Sequence, residues 1–231
     1  MINRKIIPAL DVQDQKSLDF LINELSNEAK LLKVGMELFY TFGHEIVAKL
    51  KEKDFEIFLD LKLHDIPNTV GKSCKTLSRL GIDMLNVHAA GGVEMMKAAA
   101  DGFKSGNEKG ILLGVTQLTS TSQTVMNNEL LIPGKTLDVV LKYAENAKKA
   151  GLDGVVCSAH EVRAIKKNIG EDFCCVTPGI RPKGSSSHDQ KRVMTPSEAL
   201  EAGSDYLVIG RAICQATSPK EAFQLILKEI S

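Results

Sequence analysis

Eight short apolar runs alternate with amphipathic stretches along this 231-residue chain, and no other feature limits the possible folds so strongly. The runs are Lys5–Val12, Leu31–Gly35, Ile57–Lys62, Met84–His88, Ile111–Leu118, Val155–Cys157, Cys174–Thr177 and Tyr206–Ile209. Apolar residues three and four apart mark the intervening helices: Leu18, Leu21, Ile22 and Leu25 in one, and Phe39, Phe42, Ile46 and Leu50 in the next. Thr69–Leu80 follows the third run and ends at Gly81, and Val93–Phe103 follows the fourth. A further helix begins near Thr136 and reaches Ala150. Ser158 to Glu161, Thr195 to Glu198 and Ser218 to Glu221 have the S/T-x-x-E spacing with which a helix start satisfies its own free amides.

Strand and helix in strict alternation predict a parallel sheet covered by helices, and eight such units predict an α/β chain closed as one (β/α)8 (TIM) barrel over residues 1–231. A doubly wound open sheet is the competing layout. It would place a G-x-G-x-x-G turn after the first strand, and none is present. Two connections exceed what a compact barrel needs, Thr119–Pro133 after strand five and Arg181–Met194 after strand seven. Both leave C-terminal strand ends, the face where barrels of this kind keep their active sites, and long connections there often act as lids.

Composition removes several classes of function. Lys plus Arg and Asp plus Glu number 29 each, so there is no net field to attract nucleic acid or an anionic membrane. No apolar run is long enough to span a bilayer, and the first residues lack a signal-peptide pattern. The five cysteines form no C-x-x-C pair, and three lie in apolar runs, as expected of small buried hydrophobes in a reducing cytoplasm.

The third run carries the chemistry. Glu56 to Leu59 is apolar, then Asp60 and Lys62 follow two apart, and in a regular strand such residues share a face about 6–7 Å from each other. Asp65 comes three residues later, and Pro67 can open a helix. Charges on a strand that is apolar on both faces must compensate one another or do chemistry. The barrel hypothesis collects further polar residues at C-terminal strand ends: Asp11, Lys33, His88, Gln117, Thr119, Ser158, Arg181, Gly210 and Arg211. Lys33, Asp60 and Lys62 then form an alternating row with Asp65 beyond it. Gly210 and Arg211 sit after strand eight, where barrels often bind phosphate on backbone amides and arginine. His64 is out of phase with Asp60 and Lys62 and reads as structural, and Cys174 and Cys175 read as packing residues.

Read continuously, Asp60 to Thr69 (D-L-K-L-H-D-I-P-N-T) closely resembles the signature of the orotidine 5′-phosphate decarboxylase family. Ala9–Asp11, Lys33–Gly35, Asn86–Gly92, Val115–Ser120, Thr177–Arg181 and Val208–Arg211 extend the resemblance over nearly the whole chain. It implies a cytoplasmic lyase of pyrimidine biosynthesis that converts orotidine 5′-monophosphate to UMP without cofactor or metal. By the same resemblance Lys62 stabilises the C6 carbanion and protonates it, Asp60 lies against the departing carboxylate, and Lys33 and Asp65 hold the row. Asp11 and Lys33 meet the ribose, Thr119 the pyrimidine, and Arg181, Gln190, Gly210 and Arg211 the phosphate. The family is a homodimer in which Asp65, Ile66 and Thr69 reach the neighbouring site. Related phosphosugar enzymes with D-x-K-x-x-D use Mg²⁺ and carry a carboxylate near the end of strand two, where this chain has Lys33.

Overall fold

The computed structural model describes residues 2–182 and 194–231. All eight expected strands are present and parallel: β1 (Ile6–Pro8), β2 (Leu31–Gly35), β3 (Glu56–Leu63), β4 (Met84–His88), β5 (Ile111–Val115), β6 (Gly154–Val156), β7 (Cys174–Thr177) and β8 (Tyr206–Ile209). Helices α1 (Gln15–Leu25), α2 (Met36–Phe42), α3 (Glu45–Lys51), α4 (Pro67–Ser78), α5 (Gly92–Lys104), α6 (Thr136–Lys149), α7 (Val162–Ile169), α8 (Pro196–Glu201), α9 (Arg211–Cys214) and α10 (Pro219–Ile230) fill the connections. Hydrogen-bonded neighbours run β1-β8-β7-β6-β5-β4-β3-β2. The seam between β1 and β2 is closed by a single bridge, Ala9 to Lys33, with the Leu10 amide donating to the Lys33 carbonyl at 3.0 Å. The chain is a (β/α)8 barrel.

Side-chain alternation sorts the core into two bodies. Ile57, Leu59, Leu85, Leu112, Val155 and Cys175 point outward and pack beneath the helices. Ile7, Leu31, Phe58, Met84, Leu113, Val156, Val176 and Val208 fill the interior. Two residues further along the same inward phase, β2, β3 and β4 carry Lys33, Asp60 and Asn86, all buried.

Three corrections follow at element level. The single helix expected across Phe39–Leu50 is two, because Gly43 takes a left-handed backbone (φ 65°) that no helix continues. Strand one ends at Pro8 and strand five at Val115, earlier than apolarity suggested. The 119–133 connection is no bare loop: Val125–Glu129 forms a π-helical turn over buried Met126, and the Asn127 side chain donates to the carbonyls of Ile132 (2.6 Å) and Gly134 (3.0 Å). The base of the other long connection is pinned, with Ile180 bridged to Met194 and the Arg181 amide donating to the Met194 carbonyl. Its span, 183–193, lies outside the described residues.

The N-terminal face repeats one device three times. Gly81, Gly151 and Gly203, all with positive φ, precede Asp83, Asp153 and Asp205 by two residues. Each aspartate accepts the amide of the second residue of the preceding strand, from Ile57 (2.8 Å), Leu112 (2.7 Å) and Cys175 (2.7 Å) respectively. Each is also held by a lysine of the helix that leads into that preceding strand, Lys51 of α3, Lys104 of α5 or Lys166 of α7, at 3.1, 3.0 and 2.8 Å. Asp205→Ala removes both bonds at once, and it is expected to lower unfolding free energy by about 1.5–3 kcal/mol in urea denaturation. A loss under about 0.5 kcal/mol, the level of an ordinary surface change, would show that the latch contributes nothing.

Among the described residues no helix is long and apolar enough to cross a membrane, and all five cysteines are free. Burial raises the Cys174 thiol pKa, helped by nearby Asp205, in keeping with a packing role.

Candidate active site

The site grows out of an irregularity in β3. Leu59 pairs with Leu85 and Leu63 with Val87, so Asp60, Leu61 and Lys62 stand opposite the single β4 residue Asn86. This bulge throws Lys62 into the left-handed region at φ 51°, a conformation that costs a non-glycine residue about 1–3 kcal/mol. The expected sharing of a regular strand face is therefore not what joins Asp60 to Lys62. The bulge turns the lysine back, and its Nζ lies 2.7 Å from Asp60 Oδ1.

On its other side Asp60 meets Lys33, with Nζ 3.3 Å from Oδ2. Lys33 in turn lies 3.3 Å from Asp11 Oδ1. The result is an alternating row, Asp11–Lys33–Asp60–Lys62, that crosses the mouth from the end of β1 to the end of β3. Its net charge cancels, and this is how charges can persist where Lys33 and Asp60 side chains are only 11% exposed. Burial by itself would raise the Asp60 pKa, but Lys33 and Lys62, with hydrogen bonds from Lys62 and Asn86, hold it below the usual carboxylate range. Burial likewise opposes the charge on Lys33, and Asp60 and Asp11 outweigh it, raising its pKa. The two shifts bound the row's contribution to stability. Asp60's share is present above the unfolded carboxylate pKa and is lost as pH falls through the depressed value. Lys33's share is present below the unfolded lysine pKa and is lost as pH rises through the raised one.

A cavity of about 260 Å³ opens beside the row. Lys33, Asp60 and Lys62 form its charged wall, Phe58, Val115, Val156 and Val208 its apolar floor and far side, and Gln117, Thr119 and Ser120 a polar rim. Of the residues picked from sequence, Lys33, Asp60, Lys62, Gln117 and Thr119 are brought together here, with Asp11 joined through Lys33. Gly210 lies close by, since a Cβ placed there would come within 3.5 Å of Asp11 Oδ2. Arg211 opens α9 directly after it, and Arg181, 9% exposed, follows β7. Both arginines stand at the same barrel end but outside the walls of this cavity. Gln190 lies outside the described residues.

Asp65 stands beyond the row, as its spacing after Lys62 predicts. Within this chain it makes no ion pair with the row among the described residues, and its Oδ1 accepts the neighbouring Ile66 amide at 2.6 Å. Ile66, 65% exposed, and exposed Thr69 follow it around the start of α4. Within the chain the expected row Lys33–Asp60–Lys62 gains Asp11 as its fourth charge, and Asp65 is exposed beyond it. His64 and His88 come together at the same rim, ring centroids 5.6 Å apart. Burial lowers the His88 pKa, with His64 and Lys62 adding to the effect.

Sequence reasoning missed Asn86. The available signal was its phase: it lies two residues after inward-pointing Met84, so it had to enter the barrel beside Asp60.

A parallel barrel with a charged row and an adjoining ligand-sized cavity at its C-terminal mouth belongs to the class of (β/α)8 enzymes that act on small molecules at that face. The relationship can be made specific. The profile of the "Orotidine 5'-phosphate decarboxylase / HUMPS family" matches residues 4–226, and the chain belongs to that family. An orotidine 5′-phosphate decarboxylase of Lactococcus lactis subsp. cremoris is 52% identical over 232 residues, covering 98% of each chain. The crystal structure of the Lactobacillus acidophilus orotidine 5′-phosphate decarboxylase superposes with a TM-score of 0.87 at 42% identity, covering 99% of each chain. That of Pyrococcus horikoshii gives 0.78 at 26% identity over 97% of this chain and 98% of that one.

Proposed function

We propose that this chain decarboxylates orotidine 5′-monophosphate to UMP in pyrimidine biosynthesis, with no cofactor and with Lys62 as the acid. Family membership supports the reaction, and the row Asp11–Lys33–Asp60–Lys62 against a half-apolar cavity is the observation that carries the mechanism. Breaking the C6–carboxylate bond releases CO₂ and leaves an electron pair in an in-plane orbital that the ring cannot delocalise. The barrier falls only if fixed positive charge stands at C6 before the bond breaks. Lys62, held by Asp60 and by the bulge, supplies that charge, then transfers its proton to C6 and recovers another from solvent. Asp60 keeps Lys33 charged and aims Lys62 through the 2.7 Å contact. Asp11 and Lys33 take the ribose hydroxyls, Thr119 the base edge, and Arg181, Gln190, Gly210 and Arg211 the phosphate. Binding energy gathered at that remote phosphate is then available to lower the barrier at C6.

A shared homodimeric site completes the reading. Exposed Asp65, Ile66 and Thr69 form the surface through which each subunit would enter its neighbour's mouth, and the 65% exposed Ile66 is an apolar anchor of the kind an interface covers.

The discriminating assay follows the loss of orotidine 5′-monophosphate absorbance with and without EDTA. Full activity in chelator is the expected result, because the charge facing the substrate comes from Lys33 and Lys62. Activity lost to EDTA and restored by Mg²⁺ would transfer the chain to the metal-using phosphosugar branch of this fold. No turnover in either condition would sink the decarboxylase reading.

A further inference from the structure

We infer that Asn86 is a positioning residue for the reaction, holding Lys62 in its left-handed backbone conformation and fixing the carboxylate of Asp60 with the same amide. Asn86 is fully buried. Its Oδ1 accepts the Lys62 amide at 2.8 Å and its Nδ2 donates to Asp60 Oδ1 at 2.6 Å. The amide orientation follows from these partners, since the reversed amide would set donor against donor and acceptor against acceptor. The inference rests on the decarboxylase reading of the site and deepens it.

The bulge explains why such a residue is required. With Asp60, Leu61 and Lys62 facing one residue of β4, the Lys62 amide has no place in the β3–β4 ladder. A regular strand would satisfy that amide with a backbone carbonyl and would aim the lysine elsewhere. Here a side chain from the facing strand stands in for the carbonyl, and it can do so only while Lys62 keeps φ near 51°. The other half of the amide then reaches the acceptor that Lys62 Nζ also uses, Asp60 Oδ1. One neutral group therefore sets the backbone of the acid and the rotamer of its ion-pair partner. An apolar residue in its place would fill the volume and leave both unfixed.

The groups around Asp60 are Lys33 from β2, Lys62 on its own strand, Asn86 and the more distant His88 from β4, with Asp11 beyond Lys33. Among the described residues Asn86 is the neutral side chain that donates to Asp60. Replacing it with leucine leaves every charge in place and changes the geometry around Lys62 and Asp60 and the ionisation of Asp60.

The test compares Asn86→Leu and Asn86→Asp with the wild type, reading kcat on orotidine 5′-monophosphate from pH 5 to 9, UMP affinity by calorimetry and the thermal midpoint. Asn86→Leu should bind UMP as the wild type does and lose about a hundredfold in kcat, the scale of misplacing a reacting group by an ångström. Its acidic limb should move to higher pH, because Asp60 loses a hydrogen bond that favours its charged form. Asn86→Asp is isosteric and should fold if the leucine variant does not. When protonated it can imitate the amide, accepting from Lys62 and donating to Asp60; when ionised it sets two carboxylates against each other. Its kcat relative to wild type should therefore rise as pH falls. Unchanged kcat in folded Asn86→Leu would overturn the inference, as would an equal, pH-independent loss in both variants. If the wild type itself turns over no orotidine 5′-monophosphate, the decarboxylase reading fails separately. Titration of Asp60 by carboxyl ¹³C NMR then decides on Asn86 alone: a raised pKa in Asn86→Leu upholds the contact, and an unchanged one overturns it.

Discussion

Lys62→Ala is expected to lower kcat at least about 10⁴-fold, combining the loss of a proton donor with the loss of preorganised charge at the reacting carbon. UMP should still bind, because the groups assigned to phosphate and ribose stand at other strand ends. The geometry makes the effect larger than that of an ordinary truncation. Lys62 Nζ is 2.7 Å from Asp60, and the next cation along, Lys33, is already committed to both Asp60 and Asp11. No neighbouring ammonium can move over to replace it. Removing Lys62 also leaves the row one positive charge short beside the substrate carboxylate. Steady-state assays with a parallel UMP titration separate the two effects. A variant keeping more than about a tenth of the wild-type kcat would show that Lys62 is not the acid.

The second large effect is a loss that can be undone by mixing. Asp65→Ala should be nearly inactive, although among the described residues Asp65 lies outside the row of its own chain and accepts the neighbouring Ile66 amide. If it serves the partner's site, an Asp65→Ala subunit paired with a Lys62→Ala subunit contains one site built from intact Lys62 and intact Asp65. Random exchange of equal amounts makes half the dimers mixed, so about a quarter of wild-type activity should return. Mixing Arg211→Ala with Lys62→Ala is the control, because both lesions fall in sites built from their own chains and no intact site forms. Equal recovery in both mixtures, or none in either once subunit exchange is verified, would refute the shared site.

Much of this arrangement was legible because it is periodic. Alternating strand and helix patterns, the capping boxes at Ser158 and Thr195 and the inward phase of Lys33 and Asp60 are local properties of the chain, and the structure contains them all. What escaped was non-local or aperiodic. No propensity announces that three residues of β3 will face one of β4, because the bulge exists only when the two strands meet, so the phase of Asn86 showed that it points inward but not which amide and carboxylate it would bind. Asp11 was found as a strand-end acid, but its pairing with Lys33 depends on the barrel closing between β1 and β2. The break at Gly43 hid inside an apolar stripe that continues across two helices in register. Asp65 was placed beyond the row by spacing alone, and spacing says nothing about which way a residue at a helix start will face.

The closure of the barrel has its own consequence. Its first and last neighbours are stitched by one bridge, and the residue on the far side of that stitch is Lys33, whose side chain also anchors the charged row. The joint that completes the architecture and a member of the proposed reaction centre are the same residue. A variation that loosened the seam would therefore scatter the charges before it unfolded the barrel. Catalytic failure would be the earliest symptom of structural decline, and in this lineage selection for activity would protect the seam without acting on stability at all.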